Sequence, residues 1–108
     1  QKQNHLDIVH YGAVGYMSTF VTFHPPVTHQ YWDAVQRADW TAAAKVIAEH
    51  DTPFFEYIGG LQGGFDAGMH GLLELTGTAD RWRRKPFYSL NDEEMEGLKA
   101  FCQSHNWL

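Results

Sequence analysis

Cysteine is nearly absent from this sequence: Cys102 is the only one. A lone thiol excludes an internal disulfide and any zinc site built on several thiolates. Cys102 falls in a helical pattern near the end and reads as a small, half-buried apolar residue. So thiol-poor a chain fits a reducing, cytoplasmic setting. Long apolar runs are missing too. None approaches the roughly 20 residues that cross a bilayer, and the opening "QKQNHLD" lacks the apolar stretch of a signal peptide. No membrane partner is expected. Basic residues are scarce: eight Lys and Arg against thirteen Asp and Glu leave a net charge of −5. That balance argues against nucleic acid as the main partner.

What remains is a chain of 108 residues, 44% apolar and 15% aromatic. It is long enough for one small domain with a real core, expected as a single unit over residues 1–108. "HLDIVHYG" reads as a short helix stopped by Gly12. "GAVGYMSTF", Gly12 to Phe20, reads as a buried strand, apolar and small on both faces. Pro25 and Pro26 then break regular structure. Thr28 is the expected N-cap of a helix carrying Tyr31, Trp32, Ala34 and Val35 on its apolar stripe.

Asp39 is placed to cap a second helix, with Ala42, Val46, Ile47, Phe54, Ile58 and Leu61 on one face. Pro53 must kink or split it. "GGLQGG" ends it, and "FDAGMHGLLELTG" forms a third helix. "TADRWRRKPFYSL" reads as an irregular connection. Asn91 and Glu94 fit a capping box, with Leu90 and Met95 as its hydrophobic staple. The last helix carries Met95, Leu98, Phe101, Cys102 and Leu108 on its apolar face. The pattern holds one strand and no second one, and a lone buried strand cannot satisfy its own backbone.

The motifs that carry chemistry are sparse. Seven histidines are present, but no pair shows the spacing of a zinc helix, so no metal is expected. "GGLQGG" lacks the Lys-Ser/Thr of a phosphate-binding loop. Four of the eight basic residues cluster in "RWRRK", Arg81 to Lys85, where arginines paired with carboxylates are the expected arrangement. Ser18 and Thr19 have no readable His-Asp partners to make them nucleophiles. As hydroxyls at a strand's end they are the candidate substrate-binding residues.

Gly12-Ala13, Gly15 and "MS" resemble the eighth barrel strand of the dihydrodipicolinate synthase / N-acetylneuraminate lyase family. "YWDAVQRADWTAAAKV" resembles the helix pair that follows it, with Ala38 standing where that family has a glycine. Pro53 and Phe54 fit a proline inside the second helix, and "RRKPFYSLNDEEMEGLKAF" resembles the closing segment. The resemblance runs from about Leu6 over nearly the whole chain.

It implies an α/β fold: the C-terminal portion of a (β/α)8 TIM barrel, mostly helical as an isolated chain. Residues 1–27 would hold a short helix and the last strand. Residues 28–108 would hold the last barrel helix and a C-terminal helical region. The remainder of the barrel, upstream of Gln1, would be the partner that flanks the strand, in an enzyme of about 250 residues that is commonly oligomeric.

The implied activity is that of a Schiff-base lyase, an aldolase or dehydratase. It acts on pyruvate-related or 2-keto-3-deoxy sugar acids through a strand-borne lysine and no separate cofactor. That lysine has no counterpart here, so no catalytic residue is assigned. The other reading of the sequence is a stand-alone helical interaction module whose strand adds to a partner's sheet edge.

Overall fold

A computed structural model describes all 108 residues. Every regular element is helical: α1 (Lys2–Ile8), α2 (Pro25–Gln36), α3 (Trp40–Val46), α4 (Thr52–Gly59), α5 (Gly64–Leu75) and α6 (Asp92–Ser104), with short 3-10 turns at Val9–Tyr11 and Phe20–Thr22. There is no β-strand, which corrects the expected α/β fold: this is an all-helical chain and not the portion of a TIM barrel that the resemblance implied. The stretch Ala13–Met17 has no regular structure, and Val14 and Met17 are 93% and 91% exposed. The reason is the shortage already visible in the sequence. With no second strand to pair with, the main chain of this segment turns to water instead of being buried.

The chain divides into two compact units, Gln1–Phe54 and Phe55–Leu108. In the first, α1 runs into its 3-10 turn and stops at Gly12, as expected. Gly12 sits at φ 101°, and its N–H donates to the Val9 carbonyl. A φ of that sign suits glycine because no Cβ meets the backbone. α2 begins at Pro25, three residues before the expected Thr28 cap. Prolines in a first turn lack only N–H groups that would have had no helical partner, so they start this helix and do not delay it.

Asp39 caps α3 as expected, its Oδ1 accepting the Ala42 N–H at 3.1 Å. Just before it, Ala38 takes the left-handed conformation at φ 55°. Pro53 does disturb the helix, in a particular way. Its ring excludes the ordinary bond to the carbonyl of residue 49. The preceding residues Ile47–Asp51 widen into a π-helical turn, and Thr52 N–H reaches the Ile47 carbonyl. The core of this unit is aromatic: Phe20, fully buried, lies 4.9 Å from Phe23 and 5.0 Å from Phe54, ring centre to ring centre.

In the second unit, α5 packs through two buried glycines, Gly68 and Gly71. A Cβ on Gly71 would meet Leu90, Met95 and Leu98 at 2.8–3.0 Å, so these three side chains converge on one point of α5. The expected capping box is formed in full. Asn91 Oδ1 accepts the Glu94 N–H at 2.8 Å, and Glu94 Oε1 accepts the Asn91 N–H at 3.1 Å.

Leu98 and Cys102 are fully buried, but Leu108 is half in water and Trp107 takes the buried place beside Phe101. Burial pushes the Cys102 thiol up to about 11, which leaves it protonated and inert at neutral pH. The basic run is pinned by carboxylates: Arg81 by Asp92 and Glu74, Arg83 by Asp66 at 3.8 Å. Their guanidinium groups lie over Trp82 and Phe87.

Candidate functional site

The first unit concentrates its polar chemistry in one place. α1 turns Lys2 and His5 inward, three residues apart and so on one helical face; both are buried. The π turn carries Asp51 in against them. Lys2 Nζ meets Asp51 Oδ1 at 2.7 Å, and the Lys2 main-chain N–H donates to Oδ2 at 3.3 Å. The ammonium also lies 4.6 Å from the Phe20 ring centre, a cation–π contact. Burial draws the Lys2 pKa below the ordinary lysine value, against the opposing pull of the Asp51 hydrogen bond and charge.

Tyr31, on α2, ties this pair to His5. Its hydroxyl donates to the Lys2 carbonyl at 3.1 Å and lies 2.7 Å from His5 Nδ1. The other ring nitrogen, Nε2, is buried without a hydrogen-bond partner. Burial lowers the His5 pKa, with the N-terminal charge adding to the effect, and so keeps the ring neutral. Burial likewise raises the hydroxyl pKa of Tyr16 and, more strongly, of Tyr31.

Next to this cluster opens a cleft of about 290 Å³ lined by Val14, Gly15, Tyr16, Thr28, His29 and Trp32. Its two aromatic walls, Tyr16 and Trp32, stand 6.1 Å apart with a 35° tilt. Both also touch His5, whose ring centre is 5.3 Å from Tyr16 and 5.8 Å from Trp32. No Asp, Glu, Lys or Arg lines the cleft. Its polar groups are hydroxyls, main-chain groups and the His29 imidazole, a lining suited to a neutral ligand.

Ser18 and Thr19, the residues singled out in the sequence, part company here. Ser18 Oγ is 2.6 Å from Thr28 Oγ1 and so braces one wall of the cleft. Thr19 caps the 3-10 turn, where its carbonyl accepts the Thr22 hydroxyl at 2.8 Å. It is not among the cleft's lining residues.

Lys2, His5, Asp51, Tyr31, Tyr16 and Trp32 were not marked as site residues by the sequence. Tyr31 and Trp32 sit on a helical apolar stripe that reads as core. Two signals were available: the inward i, i+3 pair Lys2 and His5 on α1, and Pro53, whose wide turn aims Asp51. No three His, Cys, Asp or Glu side chains converge in metal-binding geometry. No helix is long and apolar enough to cross a membrane. Comparison with protein-family models, with curated proteins and with solved structures returns no match to this chain.

Proposed function

We propose that this chain is an interaction module whose docking element is the segment Gly12–Ser18. One observation carries the reading. From Ala13 to Ser18 no main-chain N–H or C=O is hydrogen-bonded within the chain. Exposed apolar side chains crowd the same region: Tyr11, Val14 and Met17 are each about nine-tenths in water, and Ile8 and Val21 about half. An unpaired backbone joined to exposed apolar side chains is what strand addition to an open sheet edge uses. The backbone supplies affinity, and alternate side chains supply specificity.

Two measurements test it. Amides of residues 13–18 should exchange at nearly intrinsic rates in the isolated chain; strong protection in an isolated monomer would mean that the segment is already satisfied. The double variant Val14→Asp with Met17→Asp should shift the urea-unfolding free energy by less than about 0.5 kcal/mol, since neither side chain is packed.

A second reading is favoured by Ala38. Its left-handed φ of 55° falls at the turn where the resemblance to the dihydrodipicolinate synthase / N-acetylneuraminate lyase family expects glycine, the residue that takes this conformation without strain. On this reading the chain is a non-catalytic part of a Schiff-base lyase for pyruvate-related or 2-keto-3-deoxy sugar acids, in a cytoplasmic setting. The remainder of that enzyme is then the partner to which the 12–18 segment docks. The reading assigns no catalytic lysine to this chain. Pyruvate with borohydride should therefore leave its mass unchanged, and an adduct on Lys2, Lys45, Lys85 or Lys99 would overturn the assignment.

A further inference from the structure

We propose that α1 is an acid-released latch: proton uptake by His5 lets the helix go from the first unit and uncovers the aromatic core beneath it. The inference stands on how α1 is held, and does not require the docking reading of the segment Gly12–Ser18.

α1 has no buried apolar side chain. Its buried residues are Lys2 and His5, 1% and 3% exposed, while Ile8 is half in water. Polar contacts hold the helix in place. Lys2 meets Asp51 on the π turn, the Lys2 carbonyl accepts the Tyr31 hydroxyl, and His5 Nδ1 lies against that same hydroxyl. A helix of seven residues does not persist alone in water, so whatever breaks these contacts also melts it.

The surroundings of His5 do not accommodate a second ring proton. An imidazolium carries an N–H on both nitrogens, whichever tautomer precedes it, and Nε2 is buried with no acceptor. On its own helix stand the Lys2 ammonium, on the same face, and the terminal ammonium of Gln1; Asp7 is turned out to Gln3. α2 brings Tyr31 and Trp32, and the segment after Gly12 brings Tyr16. The π turn brings Asp51, which is engaged by Lys2, and His50, which lies against Phe20. Its Glu49 pairs at the surface with Lys45 of α3. No carboxylate forms an ion pair with His5. The ring faces of Tyr16 and Trp32 attract an imidazolium, but they leave its Nε2–H without an acceptor.

Burial draws the His5 pKa below the ordinary 6.5, and the Gln1 charge adds to the effect. Once α1 is released, the ring regains its ordinary value. Release therefore takes up a proton between the docked value and 6.5. Above 6.5 the contribution of His5 to docking is complete. Across the window, the ratio of open to docked α1 rises by up to about tenfold for each unit the pH falls. Phe20 and Tyr31, both fully buried, then lose their cover, since Lys2 lies over Phe20 and His5 against Tyr31.

The test uses the full chain, labelled with nitrogen-15 and carbon-13 and followed by NMR from about pH 7.5 to about pH 5. Backbone signals of residues 3–8 should move to random-coil positions with a midpoint below 6.5, and the Trp32 indole N–H should move with them. The backbones of α2, α3 and α6 should keep their native shifts. The His5 ring should titrate with the same midpoint as the helix.

His5→Phe keeps a ring in place and removes the titrating group, so α1 should stay docked across the range. His50→Phe removes the rival histidine on the π turn and should leave the release as it was. If His5→Phe does not fold, the coincidence of the two midpoints in the unaltered chain still decides. Helix α1 still docked at pH 5, a His5 ring that titrates while the helix stays docked, or unfolding of the whole chain in one step overturns the proposal. Release that persists in His5→Phe, or is lost in His50→Phe, overturns it as well.

Discussion

Replacing Asp51 by alanine is expected to cost about 3–5 kcal/mol of folding stability, the usual penalty for stranding one member of a buried ion pair. Lys2 and Asp51 are 1% and 4% exposed, and the 2.7 Å contact between them is the short, charge-assisted bond that offsets their desolvation. Without the carboxylate, the Lys2 ammonium keeps only the faces of Phe20 and Tyr16 for company. Urea unfolding of the two proteins would measure the loss, and a difference under 1 kcal/mol would show that the pair is hydrated in solution.

Two further results are tied to it. The double replacement Lys2→Met with Asp51→Leu removes both charges, and it should recover most of the loss, because paired burial and apolar burial nearly balance. The second concerns pH. Burial lowers the Lys2 pKa in the folded chain, so between that value and 10.5 the unfolded chain holds more protons than the folded one. The contribution of Lys2 therefore makes stability rise with pH across that window. In Asp51→Ala the lysine loses the partner that holds its pKa up, so the window widens. The gap between the two proteins should be widest near neutrality and close only as pH rises past 10.5, where the amine loses its proton even when unfolded.

Gly68→Ala is expected to destabilise the chain by about 1–3 kcal/mol, although alanine in a helix interior is worth about 1 kcal/mol over glycine. The added Cβ would lie 2.3 Å from Ile58 Cγ1 and 2.7 Å from its Cδ1. Ile58 is 1% exposed, and Cγ1 stands next to its own branch point, so no simple rotation clears the clash. α4 and α5 would have to separate. A double-mutant cycle isolates the cause: Ile58→Ala removes both clashing atoms, so the two substitutions should be less costly together than the sum of the single losses, by more than about 1 kcal/mol. Additive losses would place the cost of Gly68→Ala somewhere other than this contact.

The helix ends were the most legible features. Gly12 at the end of the first helical run, Asp39 ahead of α3, and the Asn91–Glu94 box ahead of α6 each depend on hydrogen bonds that span only a few residues. A local sequence window therefore contains everything needed to place them. The same holds for the disturbance by Pro53, though not for its form. Sequence says that one carbonyl loses its donor. The π turn carries Asp51 inward, where it meets Lys2, 49 residues away along the chain, and a partner that distant lies outside any local window.

The segment from Gly12 to Phe20 marks the opposite limit. Its composition is that of a buried strand, and the resemblance placed it in a barrel. Burial is a property of neighbours, however, and the 108 residues supply no second strand, so the main chain from Ala13 to Met17 faces water. The cleft was out of reach for a related reason. Tyr16 comes from that open segment, Trp32 from the flank of an apolar stripe, and His5 from the preceding helix. Each residue is unremarkable within its own stretch. Packing alone brings the three rings within about 6 Å of one another and leaves one imidazole nitrogen without a partner. Caps and helix registers are settled by forces acting across one or two turns, whereas a site built from three separate stretches exists only once long-range burial has chosen which side chains meet.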